Sequence, residues 1–418
     1  MNKQSLSVGL GVALVAMVMA LIAVSGLASA AAAAEEVRVG LVAPMTGPAA
    51  KFGQIQKSTL TMAMEKVNNG GGIKSLGGAK IRLIIGDSRG EADIGVTETE
   101  RLITREKVHA IIGAFQSGVA FPASAVAERY QIPWLNDGTV DKITERGFKY
   151  VFRAEGNDTQ KAKTLIDGLV AMSRNFAPIK TAVIFSENTE WGNSVSQKQK
   201  NFLEAQGIQV LSTEAYPYAS ADLTSMIVKA KGLNPDLLIA NSYLGDAILI
   251  TRQMSEQEFR PRVYASGGGG FFQPDFLKAA GKLTDGIIVA THWVADVGKR
   301  VPWIKTVNDS HIARFGVPIT EDAAREYQLF FVLVDALERA KTTSPKELRD
   351  AIAATDITDP NNRAMMVPCK ELKFDETGQN PFATAMLVQI QGGDFRLVYP
   401  ESVAEPGVKV MWPYPQSR

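Results

Sequence analysis

Hydrophobic positions along the chain fall into two kinds of run. From Val37 to about Val289, short β-branched stretches recur at Val37–Ala43, Ile81–Ile85, Ala110–Gly113, Ile132–Leu135, Ala182–Phe185, Leu237–Ala240 and Gly286–Val289. Between them lie amphipathic stretches near 52–69, 91–107, 119–130, 158–174, 191–206, 221–231, 244–257 and 273–281, which predict helices. Non-alternating strands joined by helices predict parallel sheets covered on both faces. So many strand–helix units exceed one compact sheet, and two are expected. Beyond Val289 the pattern changes: helices at 302–315, 321–341 and 345–354 follow one another, and short strands at 371–374, 384–391 and 395–399 close the chain. The helix 321–341, with Tyr327, Phe330, Phe331 and Val334, reads as core.

Ahead of these units stands a different segment. Lys3 supplies a positive start, Val8 to Val24 an apolar run, and Ala28-Ser29-Ala30 a small-residue cleavage signal. Residues 1–34 therefore read as a cleavable signal peptide, and the chain is expected to be exported. Cys369 is the one cysteine and lies far from the cleavage point, so neither a lipid anchor nor an internal disulfide is expected. The 418 residues suffice for two cores stabilised by burial alone. Charge is balanced, with 45 Lys+Arg against 44 Asp+Glu and no basic run, which gives no electrostatic case for nucleic acid or an anionic membrane. Small molecules or another protein are the expected partners.

Sequence signals for catalysis are missing. His109, His292 and His311 lack zinc spacing, no G-x-S-x-G follows the leader, and Gly281-Lys282 is continued by Leu283 rather than by a phosphate-loop hydroxyl. No cofactor, metal or catalytic residue is expected, and a nucleotide-dependent enzyme is the lesser alternative. In open parallel sheets, ligands gather beyond the carboxyl ends of the strands. The corresponding loops hold Phe52, Ser117, Asp137, Thr139, Trp191, Tyr243 and Phe271, a set of hydroxyls and aromatics suited to binding. Ser117 precedes the helix near 119–130, whose free N–H groups attract an anion; a plain N-cap serine is the simpler reading. Asp137 could equally be the first residue of an Asp-Gly turn.

Several segments carry a resemblance. Val39–Gly53 followed by Asn69-Gly70-Gly71-Gly72-Ile73, then Gly113-Ala114-Phe115-Gln116-Ser117, Pro122-Ala123-Ser124, Thr139 through Arg146-Gly147-Phe148, Trp191-Gly192 and the strand ending at Tyr243 resemble the Leu/Ile/Val-binding proteins. These are type I periplasmic solute receptors of ABC importers. The order and spacing, over essentially the whole chain behind the leader, make the likeness specific. It implies an α/β fold of two Rossmann-like lobes joined by three hinge crossovers and closing on a ligand. Lobe 1 would comprise 35–154 and 289–366, lobe 2 155–288 and 367–418. It further implies that Ser117 and Thr139 hold a ligand carboxylate, that Phe52 borders the side-chain pocket, and that Trp191 and Tyr243 face it from the second lobe. An inner-membrane ABC permease would be the partner of a monomeric receptor. A ligand-sensing receptor for a signalling partner would share the fold and is the alternative.

One departure bears on the ligand. Amino-acid-binding members carry an acid after the strand matching Arg262–Ala265, where it pairs with the α-ammonium. This chain reads Ser266-Gly267-Gly268-Gly269-Gly270-Phe271-Phe272 instead. An unpartnered ammonium closed into the cleft would cost several kcal/mol. Either Asp137 or Glu155 supplies the charge, or the ligand lacks an ammonium. Gly267 and Phe271 join the site list on this ground. The expected ligand is a small carboxylate with an apolar or aromatic tail, or else a hydrophobic amino acid.

Overall fold

The computed structural model describes residues 36–297 and 301–415, so the expected leader lies outside the described residues. Strands β1 (Val37–Ala43), β2 (Ile81–Asp87), β3 (Ala110–Gly113), β4 (Trp134–Asn136) and β5 (Val151–Phe152) pair in parallel in the order β2-β1-β3-β4-β5. Between them run α1 (Ala50–Asn69), α2 (Ala92–Thr104) and α3 (Ser117–Arg129). A second, seven-stranded sheet contains β6 (Thr181–Glu187), β7 (Gln209–Tyr216), β8 (Leu237–Asn241), β9 (Val263–Ser266) and β10 (Ile288–Thr291). Their order, β7-β6-β8-β9-β10, repeats that of the first sheet. Around them lie α4 (Asp158–Ser173), α5 (Glu190–Ala205), α6 (Thr224–Leu233), α7 (Leu244–Glu256) and α8 (Pro274–Ala280). Helices α9 (Pro302–Phe315), α10 (Glu321–Ala340) and α11 (Pro345–Ala353) follow, then a small pair, β11 (Asp356–Ile357) with β12 (Leu372–Lys373). Antiparallel β13 (Met386–Gln391) and β14 (Asp394–Tyr399) extend the second sheet beside β10.

The pleat of β1 sorts its residues. Val37, Val39, Leu41 and Ala43 point into a core with Leu60, Tyr327, Phe330 and Leu333, whereas Val42 joins Ile111, Val119 and Trp134 on the opposite face. Each such aliphatic side chain, buried in full, contributes about 1.5–3 kcal/mol. Helix α10 is thus core along most of its length, as its aromatic positions foretold. The second lobe is likewise packed on both faces of its sheet. Cys369 is half-buried with its thiol pushed up to about 11 by burial, an inert filler in a hydrophobic setting.

The chain passes between the lobes three times: after β5, after β10 and after β12. The first and third passages lie side by side, with the Arg153 amide donating to the Gly378 carbonyl at 2.8 Å and the Asn380 amide to the Arg153 carbonyl at 2.9 Å. Lobe limits were expected at 289 and 367. The strand pairing keeps Ile288–Thr291 in the second sheet, and Leu372 and Phe374 still pack in the first-lobe core. Both passages therefore fall a few residues further along the chain.

Candidate functional site

In each sheet the strand order reverses direction between the first and third strands, leaving a crevice at their carboxyl ends. The two crevices face each other. Phe52 opens α1 after β1 and Trp191 opens α5 after β6; Ser117 opens α3 after β3, and Tyr243 is the residue ahead of α7 after β8. A narrow cavity of ≈ 40 Å³ lies between them, lined by residues of both lobes. Ser117, Asp137, Thr139, Trp191 and Tyr243 of the expected set line it, together with Phe115, Lys161, Phe272, Asp322 and Arg325, and with Gly269.

Its walls are aromatic. Tyr243 stacks on Trp191 at a ring separation of 5.1 Å and lies 5.5 Å from Phe115. Phe52 stacks on Phe115 at 4.1 Å and so backs the ring that meets the cavity. These rings give an apolar, rigid surround whose stacked and tilted geometry is that preferred by aromatic quadrupoles.

The anion end is built from α3. Gln116 takes the N-cap position, so Ser117 is the first helical residue rather than the cap, and the first intrahelical acceptor serves Val119. The leading amides of the helix thus remain for a ligand. Ser117 Oγ is buried and accepts from the Val140 amide at 3.4 Å. Thr139 is held in place by a buried arginine: Arg153 Nη1 donates to the carbonyls on either side of it, Gly138 at 3.0 Å and Val140 at 2.8 Å. Its own carbonyl accepts from the Asp158 amide at 2.9 Å, and its hydroxyl bonds the Asp158 carboxyl, which burial pushes up to about 6.

The polar end was missed from the sequence. Lys161 Nζ lies 2.8 Å from Glu321 Oε1, and Arg325 Nη2 lies 2.8 Å from Asp322 Oδ1, all four side chains being buried. Burial works against the Arg325 charge, but Glu155, Asp322, Asp137 and Glu321 around it hold the guanidinium firmly protonated. Burial also raises the acids: Asp322 to about 6 and Glu155 to about 8, each partly offset by Arg325. For Glu321 the burial cost is outweighed by Lys161, His292 and Arg325, which hold it well below the usual carboxylate range. Asp137 Oδ2 accepts from Gln56 Nε2 at 2.6 Å, and the same amide donates to Glu326 at 2.8 Å. Desolvation and the Asp137 charge push Glu326 far up, so Glu326 keeps the proton of this pair.

These residues left a signal. Glu321, Asp322, Arg325 and Glu326 put four charges into the first turns of a helix whose middle, Leu329 to Val334, is apolar, and Lys161 falls on the buried stripe of α4 with Ala162 and Leu165.

Three expectations are corrected. Phe271 is in the second-lobe core, edge-on to Tyr264 and Phe276, and Phe272 meets the cavity instead. Residues 270–272 form a 3₁₀ turn, which swings successive side chains by about 120°. Gly267 stands back from the cavity, its amide donating to Asn241 Oδ1 at 3.2 Å; Gly269 lines it. Glu155 also stands behind the cavity, at the first passage, where it meets Arg325 at 3.4 Å and His292 at 3.7 Å. Glu155, His292 and Glu321 bring three potential metal ligands within 4.8 Å, a grouping that their distance in sequence hid. Lys161 already pairs with Glu321, and Arg325 stands 3.4 Å from Glu155, so cations occupy the surroundings of both carboxyl groups. His292 serves hinge packing, bonded to Glu321 at 3.0 Å.

A larger apolar hollow of ≈ 630 Å³ lies elsewhere, between Gln160, Thr164, Ile304, Met386 and Tyr399. It holds no expected site residue.

Two α/β lobes with matching strand order, facing each other across a cleft at their switch points, define the class of two-lobed solute receptors. The model of the periplasmic binding protein family matches residues 36–394, and the chain belongs to that family. Leu/Ile/Val-binding protein homolog 7 of Brucella melitensis is 30% identical over 390 residues, covering 90% of this chain and 95% of that protein. Among solved structures, the branched-chain amino acid transporter substrate binding protein LivJ of Streptococcus pneumoniae, in complex with isoleucine, superposes with a TM-score of 0.76 at 20% identity, over 88% of this chain and 100% of that one. A solute binding protein of an ABC transporter from R. palustris, in complex with benzoate, superposes at 0.75 with 22% identity, over 87% and 95%. The resemblance read from the sequence stands. None of these relatives favours the signalling alternative. Among the described residues, no helix is long and apolar enough to cross a membrane.

Proposed function

We propose that the protein captures a small carboxylate in the periplasm by closure of its two lobes and delivers it, as a monomer, to an inner-membrane ABC permease. Its work is binding, with no bond broken. The observation that carries this reading is the convergence on one cavity of a helix N-terminus with Ser117 and Thr139 from one lobe and Trp191 and Tyr243 from the other. Charge-assisted hydrogen bonds at the anion end contribute about 1.5–3 kcal/mol each, with ring burial adding to them. Closure follows because only the closed arrangement lets one ligand meet both lobes.

The ligand is an acid without an α-ammonium. In the loop after β9, where amino-acid receptors of this kind carry an acid, a Cβ on Gly268 would stand 2.8 Å from Lys161 Nζ, so a buried cation already borders the space that an ammonium partner would need. Isoleucine and benzoate in the two superposed structures exemplify the two ligand types that the fold accommodates. Calorimetric titration of protein purified from the periplasm tests the choice, comparing leucine, isoleucine and valine with 4-methylpentanoate and benzoate. Tighter binding of the amine-free acids is expected; tight binding of the amino acids alone would overturn the ligand class and make Asp137 the ammonium partner.

A further inference from the structure

Glu187 is the last residue of β6, fully buried behind the cavity rather than lining it. Its Oε1 accepts the backbone N–H of Tyr243. Tyr243 holds the N-cap position of α7, and its side chain makes no capping bond. In a capping box, the acid three residues further on takes the N-cap amide. Here that acid is Asp246, and its Oδ2 instead accepts from the Ala219 amide at 2.9 Å. The neighbouring strand supplies the missing acceptor through Glu187.

The Glu187 and Asp246 carboxyls also bond each other, which requires a proton on one of them. Desolvation pushes Glu187 well above the usual carboxylate range, with the Asp246 charge adding to it and the Tyr243 amide pulling back. Glu187 therefore keeps the proton and donates to Asp246. One neutral acid thus joins the end of β6, the start of α7 and, through Asp246, the loop at Ala219. Each of these segments brings a ring to the same place. Trp191, just beyond β6, stacks on Tyr243 at 5.1 Å, and Tyr218 stands edge-on to Tyr243 at 5.4 Å. All of these groups belong to the second lobe, so the bridge needs no contact from the first.

We propose that Glu187 is a positioning residue for ligand capture, bridging the Tyr243 amide and Asp246 so that the Tyr243 ring is held against Trp191. This rests on the reading of Tyr243 as a wall of the ligand site. Without the bridge, a buried amide and a buried carboxylate each lose a partner, and the start of α7 must shift to satisfy them.

Two variants separate position from packing. Glu187→Met keeps the bulk and removes the bridge. Glu187→Gln keeps both bonds, its carbonyl accepting from Tyr243 and its amide donating to Asp246. The periplasmic protein would be titrated by calorimetry with benzoate, 4-methylpentanoate and leucine. For the compound that binds best, affinity should fall roughly tenfold or more in Glu187→Met and stay within about twofold of wild type in Glu187→Gln. Near-ultraviolet circular dichroism of the ligand-free proteins reports the packing of Trp191, Tyr218 and Tyr243. It should change in Glu187→Met and match the wild type in Glu187→Gln. A Glu187→Met protein that melts lower yet binds as the wild type overturns the proposal and leaves Glu187 a stabilising residue alone. Equal loss of binding in both variants also overturns it, because the bridge would then not be what acts. If no compound binds even the wild type, that failure falls on the ligand class, and the dichroism decides: unchanged aromatic bands in Glu187→Met overturn the proposal. Should Glu187→Met not fold, Asp246→Ala cuts the bridge from the α7 side and takes its place with the same expectations.

Discussion

At Gly268 the backbone takes φ +121°, and a Cβ built there would crowd both Lys161 Nζ at 2.8 Å and Phe272 Cε1 at 3.0 Å. The glycine therefore answers two demands, a left-handed backbone and room for a buried ammonium. From the sequence, the run of glycines was legible as a lost acid, but the cation bordering its place was not, since Lys161 is over a hundred residues away. Ser117, Thr139, Asp137, Trp191 and Tyr243 were legible because each follows a strand end; Arg325 and Asp322 were not, because they come to the cleft from a helix that otherwise reads as core. Glu155 makes a residue-scale prediction. Burial raises its carboxyl from 4.5 to about 8, with Arg325 and Lys161 pulling it down and Glu321 and Asp137 pushing it up. Between these values the unfolded chain releases a proton that the native state keeps, so the stability Glu155 contributes is full at low pH and lost as pH climbs through about 8. Glu155→Gln has no proton to lose. Its melting temperature relative to the wild type should rise between pH 5 and 8; a constant difference would count against a buried, protonated Glu155.

The helices that open the cleft share a design at the scale of elements. Phe52-Gly53 begins α1 and Trp191-Gly192 begins α5, and in each the aromatic turns toward the cleft while the glycine lies on the end of the preceding strand. A Cβ would come within 2.2 Å of the Pro44 carbonyl oxygen at Gly53 and within 2.0 Å of the Glu187 carbonyl oxygen at Gly192. Here close approach, rather than backbone conformation, demands glycine. Gly192→Ala should push the first turn of α5 away from β6, costing about 1–3 kcal/mol and carrying Trp191 with it. Ligand affinity should fall at least tenfold in calorimetry, with a lowered melting temperature, and unchanged affinity would show that the helix start does not set the wall. Most helix limits were legible to within a few residues, since the apolar period is strong. The strand β7 was not among the expected ones: it is the sheet edge, its face largely solvated, and Gln209, Ser212, Thr213 and Glu214 break any apolar run. The inversion of Phe271 and Phe272 was beyond reach for a related reason, because a single 3₁₀ turn has no period to read.

Across the whole molecule, the closed cleft is stitched by bonds between the lobes. Lys161 of α4 meets Glu321 of α10, Gln273 Nε2 donates to Asp322 at 2.6 Å, and at the rim Lys51 pairs with Asp275 at 2.8 Å. The rim pair is half-exposed and contributes little; the buried bonds are made only while the lobes are together. Two lobes, parallel sheets and repeated order were all legible, because strand–helix alternation fixes topology locally. The charged seam between the lobes was not, since its partners come from the two halves of the chain. Ligand capture by closure is the central claim, and small-angle scattering on wild type and Ser117→Ala tests it most directly. The acid that binds most tightly would be added at a concentration just saturating the wild type. Loss of one charge-assisted bond weakens binding by roughly ten- to a hundredfold, so the wild type should contract on adding the acid while Ser117→Ala, equally well folded, should not. Equal contraction of both proteins, or of neither, would contradict the account.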